Sequence, residues 1–529
     1  MEMHSNTVPG GAQARQPTYL ELIRRGARQH GPRTAIVYGD QSLSFAQVDA
    51  LSSRMAHALH ASGLGQGTRV ALLLGNGLYS VPLDFACAKA GLNRVPLNAR
   101  LSLSEHVAML RETGCTHLVF GEGLAQRAQE LRDAMDGLAC LGLGAALDGA
   151  ADLLALTQGQ PDHGPDIEAG PDDVVLTLFT SGTTGTLKAA QHTQSSYAGI
   201  CRNVLLNLLP ATPDDAMLHA ASMIHASGVF VLPCWLRGAR TVILPGFEPG
   251  QFLATLQRQR VTAINLVPTM LQMLLEHPDF AAADVSALRY VIYGASPMPR
   301  AVLERAMAHW GRQRFWQYYG QTEVPLCLAV LRPEDHGDGL LGSACGQPCI
   351  DVELRLLDGQ GHDVPAGEPG EITVRAPSGV AGYYNAPQLT AETFTPDGWV
   401  RTRDVGVLDE RGFLHLKDRK SDMIISGGYN VYPLEVENAL MTHPAVRECA
   451  VVGMPHEKWV EAVTAVVVLR AGHAADPEAL VAHVGQQLAS YKKPQRVLFA
   501  EEIPKTAVGK LNRRLLRERL SRAGGGTAP

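Results

Sequence analysis

The sequence predicts an α/β protein: a large N-terminal domain of parallel sheets covered by helices, a small β-barrel-like unit, and a small α+β C-terminal domain. Three observations carry this. Strand-like and helix-like stretches alternate from Arg69 to Trp310, the pattern of parallel sheets with helices on both faces. After about Gly342 short strands split by turns take over, and from Ser421 the pattern is mixed again. A chain of 529 residues also exceeds what one hydrophobic core supports. The expected domains are 18–420 and 421–520.

The elements follow in order. Arg69–Gly75 is an apolar strand, Val81–Gly91 a helix and Arg94–Leu97 a strand. Ser102-Leu-Ser-Glu105 has the S-x-x-E form of a capping box and opens a helix. Cys115–Phe120 is another apolar run, followed by the helical Leu124–Met135. Strands are predicted at Thr241–Leu244, Ala263–Val267 and Tyr290–Tyr293, each followed by a helix, at Gln251–Arg260, Thr269–Leu275 and Arg300–Trp310. The antiparallel unit is expected from Val352–Leu357, Gly370–Val374 and Phe413–Leu416, separated by turns such as Asp358-Gly359 and Asp397-Gly398. Helices at Leu434–Met441 and Pro477–Leu488 belong to the last domain.

Composition narrows the function. A net charge of −6 with no basic stripe argues against nucleic acid as a partner. No apolar run is long enough to cross a bilayer, and Met1–Gln16 lacks the apolar core of a secretion signal. The nine cysteines are scattered, with no CxxC pair, which suits a reducing compartment. A cytoplasmic location and small-molecule partners are expected, and a homo-oligomer is left open.

The sharpest chemical signal is Phe179-Thr-Ser-Gly-Thr-Thr-Gly-Thr-Leu-Lys188, which follows an apolar strand at Val174–Leu178 and precedes a stretch read as helical. Gly182 and Gly185 allow a tight turn with backbone N–H groups aimed at an anion. Thr180, Ser181, Thr183 and Thr184 add hydroxyls and Lys188 adds charge, the donors a triphosphate needs. The spacing is not that of a Walker A loop.

This loop resembles the signature of the adenylate-forming superfamily, in particular its acyl-CoA synthetase branch. The other motifs of that family follow in order over roughly residues 20–520. Tyr319-Gly-Gln-Thr-Glu323 is similar to Y-G-x-T-E, and Gly294-Ala-Ser296 to the adenine-lining segment. Trp399-Val-Arg-Thr-Arg-Asp404 resembles W-x-x-T-G-D, and Asp418-Arg-Lys-Ser-Asp422 the hinge-bearing motif. Gly427-Gly428, Pro433-Leu-Glu-Val-Glu437 and Pro504-Lys-Thr-Ala-Val-Gly-Lys510 complete the set.

The resemblance implies ATP, Mg²⁺ and coenzyme A. Tyr319, Gly320, Gly294, Ala295 and Ser296 would line adenine, Asp404 and Arg419 would hold the ribose, and Thr322 would contact the α-phosphate. Glu323 would bind Mg²⁺, a hard cation suited to a carboxylate. Lys510 would act on the reacting carboxylate and phosphate in adenylation. In thioester formation the Gly428 face would replace it, so the C-terminal domain must rotate, about a hinge at Ser421. Departures are Leu187 for Pro, Ala189 for Gly, Arg403 for Gly, Asp418 for Gly, and Ser421 for a charged hinge residue.

His225, in Ser222-Met-Ile-His-Ala-Ser-Gly228, resembles the gate of the acyl pocket. No acidic residue occurs between Ser222 and Gly246, so an uncharged tail is expected rather than an amino acid. Small residues at 226–228 favour a medium- or long-chain fatty acid, with an aryl acid as the alternative. Trp459, Tyr491 and Lys493 resemble the CoA-nucleotide surface of aryl-CoA ligases. No carrier domain follows Lys510, which favours CoA as acceptor. Loading of a carrier protein is the alternative.

Overall fold

The computed structural model describes residues 16–181, 187–296, 298–337, 344–426, 429–457, 459–506 and 510–524. Three sheets organise them. The first has eight strands with a parallel centre: Arg69–Leu73 pairs with Asn93–Leu97 on one side and His117–Gly121 on the other. Helices Ser80–Lys89, Leu103–Thr113 and Ala125–Ala134 connect them. The predicted capping box forms, Ser102 accepting from Glu105 N–H while the Glu105 carboxylate accepts from Ser102 N–H. Gly114 closes that helix at φ 61°, a conformation glycine adopts without cost.

The second sheet has thirteen strands. Its parallel run includes Arg240–Ile243, Ala216–His219, Ala263–Leu266, Tyr290–Gly294 and Phe315–Gln321. From Val324–Leu331 onward the pairing turns antiparallel. Strand Ala344–Pro348 pairs with Val324–Leu331 on one side and with Leu414–Arg419 on the other. The predicted antiparallel unit is therefore continuous with the larger sheet rather than a separate body. That continuity brings Asp404 and Arg419 to the same sheet as Glu323.

The third sheet has five strands and carries helices Pro433–Met441, Pro477–Gly485 and Arg513–Gly524. Its core (Ile424, Val431, Val436, Leu440, Val451, Val463, Val467, Leu480) is built from residues after 423. The chain therefore changes cores a few residues beyond Ser421, which lies in an exposed turn.

The structure corrects one local expectation. The segment after the Ser/Thr/Gly loop is strand Leu187–Thr193, antiparallel to Val174–Ser181 with Lys188 opposite Thr180. The helix begins only at Gln194, capped by Thr193. Ala189 and Ala190 favour helix by intrinsic propensity, but both are buried in sheet pairing, and packing outweighs a preference of a few tenths of a kcal/mol. The two strands on either side of the Ser/Thr/Gly segment are thus paired antiparallel. Among the described residues no helix is long and apolar enough to cross a membrane, and all nine cysteines are buried free thiols.

Candidate active site

Strand ends and the turn at Thr322-Glu323 build the site. The strand Tyr290–Gly294 runs parallel to Phe315–Gln321, with Gly294 beside Tyr318. A Cβ on Gly294 would lie 2.5 Å from Tyr318 O, so only glycine permits this approach. Ala295 follows at φ 68°. The chain then reverses through Thr322-Glu323, both half-buried, into Val324–Leu331. A Cβ on Gly320 would meet Leu326 O at 2.3 Å, which explains the glycine of the Tyr-Gly-Gln-Thr-Glu segment.

Tyr319 is buried and its hydroxyl donates to Asp404 Oδ2 at 2.7 Å. Asp404 lies opposite Arg419 across the neighbouring strand, and Arg419 Nε is 3.5 Å from its Oδ1. Burial raises the Asp404 pKa, while Arg419 and Tyr319 pull it down. Trp399, at the start of this motif, is held between Arg355 and Arg375, at 4.1 and 4.9 Å, contacts that favour an electron-rich ring.

Tyr383 joins strand Leu187–Thr193 to Glu323. Its hydroxyl donates to Glu323 Oε1, its backbone pairs with Ala190, and Lys188 Nζ stands 5.6 Å from its ring centroid. Sequence reasoning missed Tyr383. Nothing local in Gly382-Tyr-Tyr-Asn385 ties it to Glu323. It also missed Asn98, whose Nδ2 lies 3.3 Å from His225 Nε2.

Lys510 is the convergence point. It is half-buried, and its pKa is lowered by burial and then by Arg419, with Asp404 and Glu323 opposing. His225 is driven down to about 4 by burial and by Lys510, so it is neutral at physiological pH. The structure thus brings together Lys188, Glu323, Asp404, Arg419, Lys510 and His225.

Trp459, Tyr491 and Lys493 lie beside the C-terminal sheet, Trp459 in the turn before strand Val460–Leu469, Tyr491 in the short 3-10 helix Ser490–Lys492 and Lys493 just after it. Tyr491 stacks on Tyr429 at 4.6 Å, and Val460, next to Trp459, pairs with Ser426 in the same hairpin. Thr180 lies at the end of its strand, and the backbone of Ser181 completes it. Gly182, Thr183, Thr184, Gly185, Gly427 and Gly428 lie outside the described residues.

The donor set fits Mg²⁺ carried by phosphates. Tyr383 occupies one side of the Glu323 carboxylate. Among the described residues no group of three or more His, Cys, Asp or Glu forms a cage. One carboxylate plus substrate phosphates is the usual arrangement for this ion.

Residues 23–384 match the AMP-binding enzyme family, and 435–510 match the AMP-binding enzyme C-terminal domain. The chain belongs to the AMP-binding enzymes, in their acyl-CoA synthetase branch. This AMP-binding enzyme is an ATP-dependent acid–CoA ligase. It is 37% identical to a feruloyl-CoA synthase of Amycolatopsis sp over 501 residues, covering 94% of this chain and 97% of that one. It is 36% identical to the medium/long-chain-fatty-acid–CoA ligase FadD8 of Mycobacterium tuberculosis over 526 residues, covering 96% and 91%. Against ATP-bound MatB of Rhodopseudomonas palustris the TM-score is 0.86 at 29% identity, covering 94% and 98%. Against apo MatB it is 0.76, covering 95% and 99%.

Proposed function

We propose that the enzyme joins a carboxylic acid with an uncharged tail to CoA by way of an acyl-adenylate, and that Lys510 serves the adenylation step. The observation that carries this is the convergence of Lys510, from the C-terminal domain, on Asp404, Arg419 and Glu323 from the N-terminal one. A substrate carboxylate oxygen attacks the α-phosphorus of ATP and pyrophosphate leaves. Charge grows on the phosphoryl oxygens, and fixed cations stabilise it. Lys510 and Thr322 face that charge, Lys188 the departing phosphates, and Asp404 and Arg419 the ribose. Mg²⁺, when bound through Glu323, neutralises phosphate charge. The CoA sulfur then attacks the acyl carbon, AMP leaves, and the thiol proton passes to solvent. For that step the C-terminal domain turns about Ser421, replacing Lys510 by the face that carries Gly428, Trp459, Tyr491 and Lys493. Neutral His225, oriented by Asn98, closes the acyl pocket.

A medium- or long-chain fatty acid is the first reading of the substrate. Part of its sequence basis is consumed by local packing. A Cβ on Gly228 would sit 1.9 Å from Met223 O, and buried Ser227 bonds His219 at 3.0 Å. These two small residues serve local packing and a buried side-chain hydrogen bond rather than a channel. That favours a compact aryl acid as the second reading, a class to which the feruloyl-CoA synthase relative also points. Pyrophosphate release measured over fatty and aryl acids, with and without CoA, tests both. Release with neither class would overturn the uncharged-tail reading. Thiol loss only with a carrier protein would overturn CoA as acceptor.

A further inference from the structure

Arg403 stands where the family motif has glycine, and its backbone shows why glycine is the easier residue. Its φ is 62°, in the left-handed region that side chains with a Cβ enter at a cost. The turn itself is held by the backbone: the Arg403 carbonyl accepts Lys420 N–H at 2.9 Å. Glycine would hold the same turn without strain. The arginine is therefore accounted for by what its side chain reaches, not by the fold.

That side chain fills no core, being 38% exposed. Its Nη2 lies 3.7 Å from Glu392 and 3.5 Å from Thr393 Oγ1, on helix Pro387–Thr393. Its charge is also felt at Lys188 and Tyr383. After burial, Arg403 is the strongest influence on Lys188, lowering its pKa, ahead of Glu323 and Arg419. It also acts on Tyr383, the residue that holds Glu323. Lys188, Arg403, Arg419 and Lys510 thus face Glu323, Asp404 and Glu392, a cation in excess before any metal is added. Close like charges repel unless an anion fills the space between them. Strain and repulsion at one position have a common explanation in a polyanion that binds there.

We propose that Arg403 is a second cation for the pyrophosphoryl end of ATP, beside Lys188. The proposal rests on the ATP-site reading of Lys188 and Glu323. A guanidinium meets two phosphate oxygens through a planar, bidentate fork, a geometry that a lysine ammonium lacks.

The test is calorimetric binding of α,β-methylene-ATP and of AMP to the full chain, wild type, Arg403→Gly and Arg403→Lys. Arg403→Gly should weaken the triphosphate about tenfold, the loss of one charge-assisted contact, and leave AMP within about twofold. Its melting temperature should hold or rise, because glycine relieves the strained φ. Arg403→Lys should fall between. Equal weakening of AMP and triphosphate would overturn the proposal, since Arg403 would then act through Asp404. So would unchanged binding of both, which would leave only the pair with Glu392, and so would a lysine variant no better than glycine. A wild-type chain that binds neither nucleotide would remove the reading of the whole site, and the Arg403 proposal with it.

Discussion

One strand serves two charge clusters of opposite character. On Leu414–Arg419, Arg419 faces the nucleotide site and its neighbour Asp418 faces away, as alternation along a strand requires. Behind the strand, Asp422 and Glu437 pair with Arg513 and Arg517, and Asp418 lies beside them. Arg513 Nη2 donates to both Glu437 oxygens at 2.9 and 2.7 Å, and Arg517 reaches Asp422 at 3.3 Å. Asp418 accepts backbone N–H groups from Arg419 and Leu434 at 2.7 and 2.9 Å. In front, neither Lys188 nor Lys510 forms an ion pair with a described residue. The rear cluster pairs its own charges and ties residues 418 and 434 together. The front cluster pairs its arginines, Arg419 with Asp404 and Arg403 with Glu392, but leaves its two lysines without a carboxylate of their own.

The largest contrast should come from Lys510→Ala. Acid-dependent pyrophosphate release should fall by about 10²–10³-fold, as when a preorganised charge at the reacting oxygens is lost. Thioester formation from supplied acyl-adenylate should persist, and melting should move by no more than a few degrees. Equal loss of both half-reactions would sink the account of a turning domain.

Arg513→Ala should behave in the reverse way. Arg513 and Glu437 side chains are only 16% and 8% exposed, and a buried partner left alone costs about 3 kcal/mol. Urea unfolding should show that loss while both half-reactions decline together. A stable Arg513→Ala protein with one half-reaction selectively lost would erase the distinction between the clusters.

Glu323→Gln should weaken the use of magnesium, with partial recovery as the ion is raised. Rates equal to wild type at limiting magnesium would show that Glu323 is not the ligand. Ser421→Pro should separate the half-reactions by fixing φ at the turn. Adenylation should continue and thioester yield should fall, with melting within a few degrees because Ser421 is exposed. A folded variant that keeps both steps would move the pivot elsewhere between 416 and 427.

The smallest effect concerns pH. Burial pushes Asp418 up to about 6, against the pull of Arg513. A carboxyl whose folded pKa is raised contributes stability that is full below its unfolded value and is lost as pH rises through about 6. The stability of wild type relative to Asp418→Asn should therefore fall between pH 4 and pH 7. A flat difference in urea midpoints over that window would show that Asp418 does not titrate there.

Much of this was legible in the sequence. The helix Arg300–Trp310 and the capped helix after Ser102 appear where periodicity and capping put them, because local chemistry and burial agree there. The strand at Leu187–Thr193 was not legible, because its residues are assigned by pairing with Val174–Ser181 rather than by propensity. Among site residues, Asp404, Arg419, Glu323 and Lys510 were readable from motifs. Tyr383 and Asn98 were not, since each matters only through a partner 60 or 127 positions away. The strained φ of Ala295 and Arg403 left no trace in composition either, as neither is a glycine.

The link through Tyr383 gives strand Leu187–Thr193 a lever arm. Its backbone grips Tyr383 at Ala190, and Tyr383 in turn grips Glu323. A sideways shift of that strand would be passed to the Glu323 carboxylate through Tyr383, and to its backbone through Val380, whose N–H donates to the Glu323 carbonyl at 2.9 Å. Substitutions around Ala190 would then register as an altered magnesium requirement, a symptom that points to the wrong strand unless the mechanical coupling is known.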